Sequence, residues 1–282
     1  FDEDDLYEAM DSLNGEWVAT EKALYARAFP CKAQLVLYDL TSVYFEGKGP
    51  FGIGRYGHSR DHRKDRPQVL LAVATDAEGL PIHIEVLRGN RTDNTTLQGL
   101  LETLRRRFGI REATFVFDGG MSSRLNLDAM SRDSLLFVTR LSSATLRALL
   151  ETTGTQLQME LGDSTHAMEV QHDGKRYVIA GGVWRCQRDQ ERRAARLAKG
   201  EAVLSKLAGA RRRKPNAQKL ASQAGRALER VKAHKYFTYS VDAAGKLIWA
   251  RKTEVIEEEA YMDGWYLLHT NATPEQASAE ET

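Results

Sequence analysis

The chain has 282 residues, 42% hydrophobic and 28% charged, with a formal net charge of +1. That composition suits a folded protein with a real core and excludes a disordered chain, a collagen-like repeat, or binding to polyanions through bulk charge. No apolar run approaches the roughly 20 residues of a membrane span and no secretory leader is visible, so the sequence reads as cytoplasmic, without a membrane partner. Its two cysteines, Cys31 and Cys186, fit no metal or redox spacing.

Residues 1–32 predict a helical segment, with Leu6, Met10, Leu13 and Trp17 on one face and Pro30 as the stop. Residues 35–45, LVLYDLTSVYF, read as a buried strand holding a single carboxylate, Asp39. An unpaired carboxylate is costly to bury, so this pattern predicts a cation or metal beside it. Residues 47–54 are rich in glycine, but no strand–glycine–helix order supports a phosphate loop, and they are expected to turn. Residues 56–67 form a charged loop. The apolar runs 68–75 and 80–87 then make a hairpin about 76–79. Thr92 or Asp93 caps a helix to about Phe108, whose apolar face is Leu97, Leu100, Leu101 and Leu104. Residues 113–121 repeat the first oddity, a strand that ends at Asp118 before two glycines. A helix at 123–132 and a strand at 135–141 follow. This order implies an α/β domain with a mixed sheet.

From about residue 142 the texture changes. Residues 157–161, 166–172 and 177–184 predict a small antiparallel patch, with Asp173 and Gly174 at a turn. Residues 185–235 read as helical and basic, broken near Pro215, with sixteen Lys or Arg against four Asp or Glu, a surplus of twelve positive charges. A hairpin at 236–252, an acidic run at 254–259 and a last apolar strand at 264–269 complete the chain. The expected plan is an N-terminal helical segment (1–32), a first part of a core (33–150), an insertion (151–253) and a return to the core (254–282).

Asp39 and Asp118 together could hold magnesium, which prefers hard oxygens and is often bound by one or two carboxylates plus phosphate oxygens. Alternatively, each is a strand-end or turn residue paired with an arginine. The loop 57–66 offers His58, Arg60, Arg63 and Arg66 to a phosphodiester backbone, or is simply a solvated charged loop. His58 and His62 lie four apart, a helical metal spacing in a segment flanked by glycine and proline. The basic stretch 185–235 is the better nucleic-acid candidate. Its apolar seams, Leu197, Val203, Leu204 and Leu207, also fit a helical hairpin that packs on itself. Trp184, Trp249 and Trp265 read as core.

Five segments then recur in order: 38–46 (YDLTSVYFE), 56–68 (YGHSRDHRKDRPQ), 89–93 (GNRTD), 117–122 (FDGGMS) and 263–271 (DGWYLLHTN). Together they resemble a DDE transposase of the IS4-like group of bacterial insertion sequences, nearest the IS1634-type members, over about residues 33–271. The resemblance implies an RNase H-like mixed sheet flanked by helices, interrupted by a β-hairpin and a basic helical insertion. It implies cut-and-paste strand transfer dependent on Mg²⁺, with Mn²⁺ as a substitute. Catalytic and metal-binding roles would fall on Asp39 and Asp118. The partners would be double-stranded DNA, at transposon ends and target, and a second copy of the chain, in a nucleoid-associated bacterial protein. Expected phosphate contacts are His58, Arg60, Arg63 and Arg66, with Arg192, Arg193, Arg211, Arg212, Arg213 and Lys214 in the insertion. The family's third carboxylate, a Glu on a helix after the returning strand, has no match here. Glu254 and Glu257 to Glu259 precede that strand, so the expectation is a chain that stops short of that helix and is inactive alone. The alternative is a non-catalytic DNA-binding remnant.

Overall fold

Alternation along Leu35–Tyr44 builds the strand, β1, from which the sheet grows. Val36, Tyr38, Leu40 and Ser42 are buried, while Asp39, Thr41 and Val43 are exposed, the two-residue rhythm of a strand covered on one face. A computed structural model describes residues 2–29, 34–59, 63–157, 166–209, 216–279 and 281–282. By internal contacts these fall into two units, one of 1–145, 169–178 and 267–282, the other of 146–168 and 179–266.

In the first unit, β1 pairs antiparallel with β2 (Gln68–Thr75), and β2 with β3 (Pro81–Arg88). On its other side β1 pairs parallel with β4 (Thr114–Phe117), and β4 with β5 (Leu136–Leu141). Helices occupy the two crossovers, α3 (Leu97–Thr103) between β3 and β4 and α4 (Arg124–Arg132) between β4 and β5. The order β3-β2-β1-β4-β5 is an RNase H-like mixed sheet flanked by helices, as the sequence leads one to expect. The covered face packs Tyr38 and Leu40 of β1 and Phe115 and Phe117 of β4 against Leu97, Leu100, Met121 and Met130. A π-turn, Leu104–Phe108, extends α3 and ends on Gly109, whose φ of 68° suits a residue without Cβ.

The sheet continues beyond that core. The returning strand β10 (Trp265–Thr270) pairs antiparallel with β5, and the sheet order runs on through β7 (Lys175–Gly181) to β6 (His166–His172). The expected separate patch is therefore corrected: β6 and β7 extend the main sheet. Their turn is at Asp173 and Gly174, with φ of 49° and 68°, the paired left-handed conformation of a two-residue hairpin. Trp184 is corrected too. It lies in a helix rather than a strand and is 70% exposed. The expected strand at 157–161 falls mostly outside the described residues.

Helices α1 (Glu3–Gly15) and α2 (Trp17–Ala28) form as the periodicity predicts, α1 opening on an Asp2–Asp5 capping box. The face of Leu6, Met10, Leu13 and Trp17 is exposed. What holds α2 is the opposite side. Tyr25 stacks on Phe29 and packs at a tilt against Phe108, with ring centroids 4.8 and 4.7 Å away. Buried Glu21 reaches His83 Nδ1 of β3 at 2.6 Å and Arg107 Nη1 at 2.5 Å.

The second unit contains the basic region. Helices α5 (Ser143–Thr153), α6 (Val183–Ala208), α7 (Ala217–Arg230) and α8 (Thr253–Tyr261) accompany the hairpin β8 (Phe237–Val241) and β9 (Leu247–Arg251). Of these, α5 was not apparent in the sequence. The acidic run is helical, in α8. Leu197 and Leu204 of α6 meet Leu220, Ala224 and Leu228 of α7 over Tyr236, Phe237 and Leu247. Gly200 permits this closeness, because a Cβ there would lie 2.4 Å from a Phe237 ring carbon.

Two stability outcomes follow. Glu21→Ala strands the buried His83 and the half-buried Arg107 and lowers unfolding free energy by about 3 kcal/mol in urea denaturation. Gly200→Ala lowers it by about 1–3 kcal/mol despite alanine's better helix propensity, because the methyl group overpacks Phe237.

Candidate active site

The parallel register assembles the site. Tyr38 of β1 pairs with Phe117 of β4, and Phe117 with Thr139 of β5. The next residue along each strand is Asp39, Asp118 and Arg140. Neighbouring strands lie ~4.8 Å apart, so these three stand abreast. Tyr38, Phe117 and Thr139 point into the core, and their successors face the other way and are exposed. The expectation of a buried carboxylate is thereby corrected. The run 35–45 is apolar because one face is fully covered and the other is partly so, and Asp39 sits on the open side. On its far flank Asp39 pairs with Val73, which pairs with Ile84. The row therefore passes from an apolar sheet surface to two carboxylates and then a guanidinium.

Local geometry fixes Asp118. It caps a short 3-10 turn, Gly119–Met121, and its Oδ1 accepts the Gly119 N–H at 2.8 Å. A Cβ on Gly119 would lie 2.3 Å from the Arg140 carbonyl oxygen, so only glycine lets the chain leave β4 this close to β5. A depression of about 530 Å³ opens here, lined by Asp118, Gly120, Ser122, Arg140 and Thr145 among others. Two exposed carboxylates on adjacent strands are a hard-oxygen donor pair that fits a divalent cation. Among the described residues, no group of three or more His, Cys, Asp or Glu side chains is placed to hold a metal. Sequence reading missed Arg140, although the signal was present. It is the lone charge in an apolar strand, as Asp39 is in β1.

The charged loop is held by its backbone. A Cβ on Gly57 would lie 2.0 Å from the Gly89 carbonyl oxygen, and one on Gly89 would lie 1.9 Å from that of Gln68. Buried Gln68 donates from Nε2 to the carbonyls of Gly89 at 2.9 Å and His58 at 3.2 Å. His58 itself is exposed. Arg63 and Arg66 are less available than expected. Arg63 binds Asp65 through Nε at 2.9 Å, raising its own pKa and lowering that of Asp65, and Arg66 donates to the Glu46 carbonyl at 2.8 Å. Arg60 and His62 lie outside the described residues.

In the second unit Arg192 is exposed. Arg193 is not free to meet phosphate: both its Nη atoms bind the carboxylate of buried Asp263 at 2.5 Å, a paired interior guanidinium. Arg211, Arg212, Arg213 and Lys214 lie outside the described residues. Lys199, Lys206, Lys219, Arg226 and Arg230 are exposed along α6 and α7. The exposed Trp184 carries Arg188 4.5 Å above its ring. Among the described residues, no helix is long and apolar enough to cross a membrane.

With this geometry in view, comparison gives the class. Residues 30–247 match the family model described as "Transposase DDE domain". The chain belongs to that family of DDE transposases. No curated protein matches it in sequence. Among solved structures, a piggyBac transposase synaptic complex with hairpin DNA aligns at 12% identity and a TM-score of 0.36. That alignment covers 53% of this chain and 31% of the other, so the chain spans about a third of that relative, and the likeness is too distant to inform chemistry.

Beyond the row, a cavity of about 830 Å³ is lined by Leu127, Phe137, Lys175, Tyr177 and His269 among others. His269 lies between Phe137 and Tyr177, with both ring centroids 5.1 Å away. Burial first, and the charge of Lys175 second, pull its pKa from 6.5 down to about 4. Between those values the unfolded chain binds a proton that the folded chain refuses. Stability from this residue is therefore full above pH 6.5 and lost as pH falls toward 4, by about 3 kcal/mol. Urea denaturation of His269→Phe across pH 7 to 4 is expected to show a shallower loss than the unsubstituted chain.

Proposed function

We propose that this chain is the catalytic core of a DNA transposase of the IS4-like, IS1634-type group, which cuts a phosphodiester at a transposon end and joins the freed end to target DNA. The observation that carries this reading is the row of Asp39, Asp118 and Arg140 on the open face of β1, β4 and β5. Asp39 and Asp118 would hold Mg²⁺, or Mn²⁺ in its place. Such an ion, when bound, makes an attacking oxygen more acidic and neutralises charge on the phosphoryl group. Arg140 continues the row with a planar, always-charged fork that suits two oxygens of one phosphate. It would lay the DNA backbone across the carboxylates. His58 projects from a loop whose backbone is pinned, and adds a donor or acceptor at the same end of the sheet.

Double-stranded DNA is the proposed substrate and target. Exposed Arg192, Lys199, Lys206, Lys219 and Arg226 give α6 and α7 the sequence-independent attraction that phosphate backbones exert. Cut-and-paste chemistry acts on two DNA ends, so the working unit is a homodimer, in a bacterial cytoplasm at the nucleoid. Arg193 is left out of the DNA contacts, since Asp263 holds it.

A plasmid carrying the element's own ends, incubated with the full-length gene product and Mg²⁺, tests the reading. Asp39→Asn and Asp118→Asn are each expected to cut cleavage by roughly 1000-fold, ~4 kcal/mol of transition-state stabilisation, with DNA retention in gel shift unchanged. Equal cleavage by wild type and variants overturns the assignment of those residues. Retention without cleavage by any of the three favours the non-catalytic DNA-binding remnant.

A further inference from the structure

Two turns bear on the spacing of the aspartates, and a buried side chain joins them. Asn126, on the first turn of α4, is 2% exposed. Its Nδ2 donates to the Asn94 carbonyl at 2.9 Å and to the Met121 carbonyl at 2.9 Å. Met121 closes the 3-10 turn that Asp118 caps, and its N–H donates to the Asp118 carbonyl at 3.0 Å. Asn94 belongs to the 3-10 turn Asp93–Thr95, which leads into α3. One amide thus fastens the turn after Asp118 to the turn before α3, and a second contact confirms how closely they meet. A Cβ on Gly120 would lie 3.0 Å from Asp93 Oδ2.

The same turn is fastened to β1. Thr96 is buried, and its Oγ1 donates to the Asp93 carbonyl at 2.7 Å. The Thr96 hydroxyl also neighbours the side chain of buried Tyr38. Tyr38 immediately precedes Asp39. A continuous line of contacts therefore runs from Tyr38 past Thr96 into the 93–95 turn, and by hydrogen bonds from that turn to Asn126 and on to the Asp118 turn. It lies on the covered side of the sheet, while the two carboxylates emerge on the open side.

We infer that Asn126 and Thr96 are positioning residues, which fix Asp118 relative to Asp39 for a shared divalent cation by bracing the 93–96 turn between the two strands. The inference rests on the carboxylate-pair reading above. Strand pairing alone sets the spacing of Tyr38 and Phe117. Asp118 lies just past the end of β4, where ladder hydrogen bonds no longer hold it and the brace does. Outer-shell groups that orient metal ligands typically change affinity by ~10–100-fold when removed.

Mn²⁺ affinity, measured by electron paramagnetic resonance of the free ion, is the test, with thermal melting recorded alongside. Asn126→Ala and Thr96→Val are each expected to weaken Mn²⁺ binding about tenfold, while Thr96→Ser, which keeps the hydroxyl, binds as the unsubstituted chain does. Thr96→Val keeps the packing volume and serves if Asn126→Ala does not fold. Mn²⁺ binding that depends on Asp39 but is unchanged in both variants, even with lowered melting temperatures, overturns the positioning role and leaves the carboxylate pair standing. Absence of any Asp39-dependent binding in the unsubstituted chain overturns the carboxylate pair itself, and the brace with it.

Discussion

The parallel pairing of β1, β4 and β5 is the constraint on which the rest depends. Three short strands, matched at Tyr38, Phe117 and Thr139, bury those residues on one side and deliver Asp39, Asp118 and Arg140 to the other. The chemistry of the row follows from parity: a one-residue slip in β4 would turn Asp118 into the core and Phe117 into water. Core packing therefore protects the site indirectly. Phe115 and Phe117, packed with Leu97, Leu100 and Met130, make any other register costly.

Much of the fold was legible because its patterns are local. The hairpin of β2 and β3, the strand ending at Asp118, the helix at 123–132 and the amphipathic α6 and α7 each announce themselves within a dozen residues. What could not be read was pairing at a distance. Residues 166–181 alternate like any hairpin, and nothing in them says that they will extend the main sheet. Asp39 illustrates a subtler failure. Its apolar neighbours suggested burial, but a strand can be apolar on a face that is only half covered, and there the carboxylate stays in contact with water. Trp184 fails for the opposite reason, since a large aromatic at a helix start can lie over a guanidinium in solvent.

The basic region shows how charge counts divide once a chain folds. Sixteen cations over 185–235 look like one surface. Arg193 is spent inside the second unit on Asp263, Lys235 on Glu259, and Arg188 on Trp184. Among the described residues, most of the remaining exposed charges are spread over α6 and α7, and the apolar seams between these helices are filled. A helical hairpin that packs on itself and one that carries a charged face are the same object. In the loop 56–67, likewise, Arg63 and Arg66 are tied to Asp65 and Glu46, so its nominal charge overstates what it can offer.

The two glycines Gly57 and Gly89 separate path from content in the charged loop. Their backbones pass so closely that neither position accepts a side chain, and Gln68 ties the crossing from beneath. The route of the chain there is decided by atoms that every variant shares, while the exposed side chain at His58 contributes nothing to that decision. Position 58 is thus an interchangeable fitting on a fixed rail, the kind of place where a binding preference can be rewritten without refolding the domain.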